Sequence, residues 1–250
     1  CLGKDLVSIS NSINKVTTAC YEPSLDYCVV KIPRWDLAKF NKVSTKLGSS
    51  MTSVGEVMAI GRTFEEAMQK GVRMVSGGNL EGLEGKLADG ADLEHLLRVP
   101  TDQRLWAVQA ALEQNYTIDE VSRISRIDRW FLARLARIAN LKAHASTCSD
   151  LEALGKATLT EMKQTGFSDR QIAKYVNSSE MIVRRRRQQY GIVPYVKQID
   201  TLAAEFPAQT NYLYMTYHGD KHDVEYNDQG TMVLGCGAYR IGSSVEFDWC

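Results

Sequence analysis

The 250-residue chain has thirty basic and thirty acidic side chains, and 44% of its residues are hydrophobic. This composition is typical of a soluble globular protein with one or two domains and excludes a chain that is disordered throughout. The zero net charge excludes a global field that would attract nucleic acid or an anionic membrane. No apolar run approaches the roughly 20 residues that span a bilayer, so we expect no membrane segment.

The cysteines and the two ends of the chain give further expectations. The six cysteines have no CxxC spacing, so we predict free thiols in a reducing compartment. The sequence opens Cys1-Leu2-Gly3 without an initiator Met and ends with no stop feature. We therefore expect an internal fragment of a longer protein.

The first 75 residues mix short elements. The β-rich run from Tyr27 to Ile32 is followed by Pro33, which has no N–H to donate, so we predict a strand that stops there at a sheet margin. Thr63 and Glu66 have the spacing of a capping box, in which each side chain satisfies a backbone donor of the other residue. Together they predict a helix from Phe64 to about Val75.

The middle of the chain is predicted to be a small all-α domain. The glycine-rich stretch 76–92 predicts a loop and a domain boundary. From Thr101 to Gly191 the apolar spacing is helical, and capping boxes recur at Thr117 to Glu120 and at Ser168 to Gln171. The side chains predicted to be largely buried are Leu105, Leu112, Trp130, Phe131, Leu135 and Ile138, and those predicted to be mostly solvated are Arg184, Arg185, Arg186 and Arg187.

Residues 192–230 lose the helical period. We predict a long connector over 192–230, because this stretch contains two prolines and a series of tyrosines. Thr231 to Leu234 then predicts a buried strand that begins a new α/β unit.

A glycine motif follows that strand. Gly235, Gly237 and Gly242 would let backbone amides approach a phosphate at a helix N-terminus. Their spacing does not match a dinucleotide fingerprint, and no second strand follows. A turn of structural glycines and a phosphate contact both stay open.

A second motif has the pattern of a helix-turn-helix. A capped helix from Ser168 is followed by a turn and by a helix with the four arginines from Arg184 to Arg187. A DNA reader could have this pattern. Four consecutive arginines point in four directions on a helix, however, so the alternative is a packed helical module with a solvated arginine face.

A third motif is a pair of histidines. His218 and His222 have the i, i+4 spacing of a zinc site on a helix. Gly219 and Asp220 lie between them and disfavour a helix. The pattern therefore favours an exposed loop without a metal.

Longer strings show a family resemblance. The sequence resembles, in order, the middle of the synthetase subunit of eukaryotic-type carbamoyl phosphate synthetases. The strings are Tyr21 to Tyr27, Lys31 to Asp36, Ser53 to Arg62, Ile127 to Leu132, Lys197 to Phe206 and Arg240 to Asp248.

The resemblance implies a mainly α fold with three parts. Residues 1–78 are expected to be the C-terminal part of the first ATP-grasp half, which makes carboxyphosphate. Residues 79–200 are expected to be the helical oligomerisation domain. Residues 201–250 are expected to be the connector and the first strand and loop of the second half. That half makes carbamoyl phosphate, and this part of it is expected to be a pre-ATP-grasp segment.

The resemblance also implies the chemistry of the whole enzyme. That enzyme makes carbamoyl phosphate from bicarbonate, ammonia and two ATP, with Mg²⁺, for pyrimidine or for arginine and urea synthesis. Its nucleotide and metal residues lie outside this chain, so we expect no catalytic residue and no bound cofactor here. The implied partners are the rest of the synthetase chain, a glutamine amidotransferase domain or subunit, and further copies in a homo-oligomer, with no nucleic acid and no membrane. The implied compartment is the cytoplasm or, alternatively, the mitochondrion.

Five residues are implied to line an internal route for carbamate between the two ATP sites. They are Glu56, Arg240, Gly242, Ser244 and Glu246. Carboxyphosphate and carbamate hydrolyse in water, so the chemistry requires a shielded route. Carboxylates on its wall would disfavour the carbamate anion and let neutral carbamic acid pass. For Glu56 the alternative is that it caps a helix start and pairs with a basic neighbour.

Overall fold

A computed structural model describes residues 3–12, 14–207, 212–225 and 229–235, with the side chain of Ala38 left out. Its first unit is an antiparallel pair of strands, β1 (Cys28–Arg34) and β2 (Gly55–Gly61), followed by helix α1 (Phe64–Val75). Short 3₁₀ turns lie at Leu6–Ser8 and Leu37–Lys39.

The predicted strand is confirmed, but the prediction that Pro33 stops it is wrong. β1 continues to Arg34, and Pro33 is paired in register with Glu56 of β2. A proline is tolerated in a strand where its missing N–H would point away from the partner strand. The Arg34 carbonyl then accepts from the Val54 amide at 2.8 Å, which extends the pairing past the proline.

Helix α1 has the predicted bounds, but only half of the predicted capping box forms. The Thr63 hydroxyl accepts from the Glu66 amide at 3.3 Å. The Glu66 carboxylate accepts instead from the Arg62 amide at 2.8 Å. The carboxylate is displaced because it also takes part in a buried polar junction, described below.

The helical domain follows the loop, as predicted, and makes the fold of the described residues mainly α. Its helices are α2 (Leu93–Arg98), α3 (Arg104–Glu113), α4 (Ile118–Ser125), α5 (Arg129–Thr147), α6 (Leu151–Gln164), α7 (Asp169–Tyr175) and α8 (Glu180–Gln189). Both capping boxes predicted within it, at the starts of α4 and α7, are complete. Helix α6 is interrupted at Gly155, whose φ of 71° lies in the left-handed region.

The core is one cluster that extends from the first unit into the helical domain. Val72 of α1 belongs to the same cluster as Leu132, Phe167 and Val183. Val108, Leu135 and Ile138 are buried as the helical spacing predicted, and Leu105 and Leu112 are half-buried. Apolar burial of this kind gives most of the folding free energy. Apolar contacts are non-directional, however, so they do not fix how one element is oriented against another.

The predicted burial of Trp130 and Phe131 is wrong. Their exposed fractions are 49% and 44%, whereas that of Leu132 is 0%. The buried stripe of α5 starts at Leu132, and the first turn of the helix projects beyond the core. There the two rings pack edge-on against each other and against Phe64, with centroids 5.0 to 5.6 Å apart.

The connector contains regular structure that the sequence did not predict. Strand β3 (Tyr195–Gln198) pairs antiparallel with β4 (Leu213–Thr216). Their register places Tyr195 opposite Thr216, and Tyr214 and Thr216 are buried while Leu213 and Met215 are exposed. The exposed positions carry apolar side chains and Thr216 is buried, so the hydropathy of this stretch does not predict the strand.

The predicted buried strand at 231–234 is wrong. The chain there has no regular structure, and Met232, Val233 and Leu234 are more than 80% exposed, at 85%, 82% and 85%. A buried strand needs partner strands, and none of the strands in the described ranges pairs with this stretch.

Two smaller features complete the fold. Cys20, Cys28 and Cys148 have free thiols, as predicted, and the remaining three cysteines lie outside the described ranges. None of the helices in the part of the chain that the structure describes has the length and apolar character needed to cross a membrane.

The neighbours Leu132 and Phe131 give a direct test of where the α5 stripe begins. Leu132→Ala should lower the free energy of unfolding by about 3 kcal/mol, because it leaves a cavity in the core. Phe131→Ala, the matched control, should cost about 1 kcal/mol, mainly from lost aromatic contacts. Urea unfolding of the two variants measures both values. An equal loss would contradict the assignment of Phe131 to the surface.

Candidate functional site

The buried side of α1 has polar side chains, which is unusual for a protein core and indicates where specific contacts are made. Glu65, Glu66 and Gln69 are 2%, 0% and 0% exposed. Acidic and amide side chains are rarely buried to this extent unless they are paired. The partners of these side chains define a junction between the first unit, the helical domain and the connector, here called the α1 junction.

Glu66 joins α1 to the connector. One carboxylate oxygen, Oε2, accepts from the Thr216 hydroxyl of β4 at 2.9 Å and from the Arg62 amide at 2.8 Å. The other, Oε1, forms an ion pair with Lys70 Nζ at 2.9 Å. Lys70 also donates to the carbonyls of Ile60 in β2, at 2.9 Å, and of Met215 in β4. Burial lowers the pKa of Lys70, and the nearby Glu66 carboxylate opposes that shift.

Gln69 joins α1 to the helical domain. Its Oε1 accepts from the Leu83 amide and from the Gln171 side chain, both at 3.2 Å, and its Nε2 donates to the Thr165 carbonyl at 3.3 Å. A Cβ at Gly82 would lie 2.3 Å from Gln69 Oε1. Only glycine therefore fits at position 82 without displacing the amide network.

Gln171 extends this network through Tyr175. The Gln171 amide donates to the Tyr175 hydroxyl at 3.2 Å, and that hydroxyl donates to Glu84. Burial, followed by the hydrogen bond to Glu84, raises the pKa of Tyr175 well above its usual range. The hydroxyl therefore remains a neutral donor.

Arg73 and Gly166 bring α1 against the turn between α6 and α7. Arg73 donates to the Glu81 carbonyl at 2.9 Å and to the Gly166 carbonyl at 2.8 Å. Gly166 has a φ of 94°, and a Cβ there would lie 2.9 Å from the Glu66 Cα. The two backbones touch, so the turn requires glycine for both its conformation and its space.

A buried ion cluster continues from the α6–α7 turn into α8. Lys163 Nζ and Arg187 Nε each lie 2.8 Å from the carboxylate of Asp169. The Tyr217 ring of the connector lies 4.8 Å from Lys163 Nζ and 5.6 Å from the Arg187 guanidinium. Burial lowers the pKa of Lys163 to about 8, although Asp169 favours its charged form.

The burial and pairing of the four arginines test the helix-turn-helix hypothesis. α7 and α8 do pack as a pair around a short turn, but Arg187 is 6% exposed and bound to Asp169, so its predicted solvation is wrong. Arg186 is half-buried and pairs with Glu152. Arg184 and Arg185 are exposed, as predicted. Two of the four arginines thus take part in packing and ion pairing within the fold, and nothing supports the DNA-binding alternative.

Of the five predicted tunnel residues, Glu56 lies in the described ranges and the other four do not. Glu56 lies in β2, exposed on the sheet, with its carboxylate 2.9 Å from Lys31 Nζ. The expected basic neighbour is thus present, and the expected helix start at Glu56 is wrong because the residue lies within a strand. Arg240, Gly242, Ser244 and Glu246 lie outside the described residues, as does the glycine motif after Gly235.

The histidine pair lies in an irregular segment, as predicted. His218 Nε2 is 2.9 Å from the Gln164 carbonyl, and His222 Nδ1 accepts from the Val196 amide at 3.0 Å. Within the described ranges, His, Cys, Asp and Glu side chains form no group of three or more that could hold a metal. The residues of these ranges therefore do not fit a Mg²⁺ site.

Sequence reasoning missed the residues of the α1 junction. Glu66 and Gln171 were noticed only as capping residues. Gln69 gave one available signal, because it shares a helical face with Glu66 and Val72 and so places an amide on an apolar stripe. The contacts through which Glu66 and Gln69 join α1 to the helices of the helical domain and to the connector span 96 to 150 positions along the chain.

A protein-family model matches the middle of the chain. Residues 56–191 match the model of the carbamoyl-phosphate synthetase large chain, oligomerisation domain. This is more than half of the chain, so the chain belongs to the carbamoyl-phosphate synthetase large-chain family. The resemblance that the sequence strings indicated is confirmed.

Curated relatives are similar in sequence to this chain over 98% to 100% of its length. It is 54% identical over 246 residues to the multifunctional protein URA2 of Saccharomyces cerevisiae, covering 98% of this chain and 11% of that protein. It is 53% identical over 249 residues to the multifunctional protein CAD of Squalus acanthias, covering 100% and 11%. It is 54% identical over 250 residues to the mitochondrial, arginine-specific large chain of carbamoyl phosphate synthase from Neurospora crassa, covering 100% and 21%. The chain spans 11% to 21% of these relatives.

The hydrogen bond between Glu66 and Thr216 can be tested by a double-mutant cycle. Glu66→Met and Thr216→Val, singly and together, should give a coupling free energy of about 2 kcal/mol in urea unfolding, since one partner is a buried carboxylate. Glu94 and Arg98, an exposed i, i+4 pair, form the control cycle and should couple by about 0.4 kcal/mol. Equal couplings would show that the connector is not anchored through Glu66.

Proposed function

We propose that this chain is an internal segment of a carbamoyl phosphate synthetase and that its own role is structural. It joins the first synthetase half to the second and participates in oligomerisation. The observation that supports this role is the α1 junction. A single buried helix there binds the strand unit, the helical domain and the connector hairpin through directed polar contacts, and such contacts hold relative orientation more strictly than apolar packing does.

The whole protein is proposed to be an ATP-dependent ligase. It would form carbamoyl phosphate from bicarbonate, ammonia from glutamine, and two ATP with Mg²⁺, for pyrimidine or arginine synthesis. The support comes from the family match and from the names of the relatives. Its partners would be the remaining synthetase regions, a glutamine amidotransferase, and further copies of the same chain.

The proposed three-part division and compartment follow from the same resemblance. Residues 1–78 would complete the first ATP-grasp half, 79–200 the oligomerisation domain, and 201–250 the connector into the second half. The proposed compartment is the cytoplasm. The alternative is the mitochondrion, which the names of the arginine-specific relatives specify for those proteins.

The structural role predicts inactivity of the isolated chain. It should neither bind nor hydrolyse MgATP, because both nucleotide sites are proposed to lie elsewhere in the intact enzyme. Isothermal titration calorimetry of the chain with MgATP measures this, and the intact protein, assayed for bicarbonate-dependent carbamoyl phosphate synthesis, is the positive control. Stoichiometric, Mg²⁺-dependent binding at micromolar ATP would contradict the proposed role.

The carbamate route remains a proposal for Glu56, Arg240, Gly242, Ser244 and Glu246. Replacing Ser244 with Trp in the intact enzyme should leave bicarbonate-dependent ATP hydrolysis nearly intact, because the first site is untouched. Carbamoyl phosphate output should collapse, because the intermediate no longer reaches the second site and hydrolyses. Ser244→Ala is the matched control and should retain both activities. Joint loss of both activities in the Trp variant would point to damage at the first site, and loss of neither would remove these residues from the route.

A further inference from the structure

Helix α8 has one face that the fold itself does not use. Its inward residues, Val183 and Arg187, are buried, and Arg186 is paired across to α6. Arg184 and Arg185 are exposed, and neither has an ion-pair partner among the described residues. Two adjacent cations without counter-ions raise the local positive potential of this surface.

Two large apolar side chains lie beside these arginines. Met181 is 56% exposed and Ile182 is 51% exposed. Positions i, i+3 and i+4 share a helix face, so Met181 neighbours Arg184 and Arg185, and Ile182 neighbours Arg185. These four residues are here called the α8 face. Exposed methionine with arginine is the composition that protein contacts favour, because the arginine stem covers apolar area while its head binds carboxylates.

The same family-matched region contains an exposed acidic segment. Asp89, Asp92 and Glu94 lie within six residues around the start of α2, and all three are exposed. Asp92 also caps α2 by accepting from the His95 amide at 3.0 Å. Glu94 pairs with Arg98 at 2.5 Å, whereas Asp89 has no ion pair among the described residues. The segment is still opposite in sign to the α8 face, and both lie within residues 56–191, whose family description is an oligomerisation domain.

We infer that the α8 face is a contact for a second copy of the chain and that it binds the acidic segment 89–94 of that copy. The inference rests on the proposed function, since it names the surface by which the domain self-associates. Arginine keeps its charge across the physiological pH range. The contact should therefore weaken with salt, as the screening length shortens from about 10 Å at 0.1 M to about 3 Å at 1 M.

The test uses charge reversal in the intact synthetase. Arg184→Glu with Arg185→Glu should raise the dissociation constant of the oligomer at least about tenfold, measured by sedimentation velocity, because like charges then face each other. Arg184→Lys with Arg185→Lys retains the charge and should change it far less. Arg123→Glu, which reverses an exposed charge on α4, should change it little.

A charge swap tests whether the α8 face and the acidic segment bind each other. Asp89→Lys should also weaken self-association, and Asp92 and Glu94 are left unchanged because the first caps α2 and the second pairs with Arg98. An equimolar mixture of this variant with the Arg184→Glu, Arg185→Glu variant should recover association, since acidic and basic faces then meet again. Recovery only in the mixture supports the proposed pair of surfaces.

Three outcomes would overturn the inference. The oligomer could be indifferent to reversal of Arg184 and Arg185. Reversal could change the compactness of the chain but not its association, which would assign the face to another segment of the same chain. Duplex DNA binding by the unmodified protein that is lost on reversal would assign it to nucleic acid. Carbamoyl phosphate synthesis by the unmodified protein is assayed in the same preparation, so that failure of the proposed function is seen separately from the sedimentation result.

Discussion

The carboxylate of Glu66 has no access to solvent, and the arrangement of the whole segment depends on keeping it satisfied. Removing one partner from a buried charge costs on the order of 3 to 5 kcal/mol, a large part of the stability of an ordinary domain. Its partners come from α1, from Arg62 two residues before α1, and from β4 of the connector. The connector hairpin therefore cannot slide along α1 without exposing or orphaning a charge. This constraint suits the proposed role of the segment, which is to hold the two synthetase halves in a fixed relative orientation.

Apolar packing and the α1 junction have different physical roles. The core that includes Val72, Leu132 and Phe167 supplies stability, but many small shifts of one helix against another would preserve buried area. Hydrogen bonds lose their value within a few tenths of an ångström and with changes in angle. The glycines at 82 and 166 let the polar groups reach each other, because a Cβ at either position would occupy the contact. Orientation thus depends on a small number of polar side chains and two glycines.

Local signals in the sequence predicted local structure well. The bounds of α1 and the starts of α4 and α7 follow from caps that act within four residues. Predictions failed where the deciding partner is distant. Phe131 and Leu132 both have apolar side chains, and only the position of the core separates them. The burial of Arg187 depends on Asp169, and the connector strands depend on pairing across the residues between β3 and β4. No local pattern contains this information, and the tunnel residues other than Glu56 lie outside the described ranges.

The separation between Glu66 and its last partner has a consequence during synthesis on the ribosome. Gln69 meets Gln171 across 102 positions, and Glu66 meets Thr216 across 150. At about 5 to 20 residues per second, α1 emerges roughly 8 to 30 s before β4 exists. A helix with a polar face meant for burial must wait that long in water, where its carboxylate and amides are hydrated without penalty. The same groups that would be costly in an empty core keep the nascent helix soluble until the rest of the junction arrives.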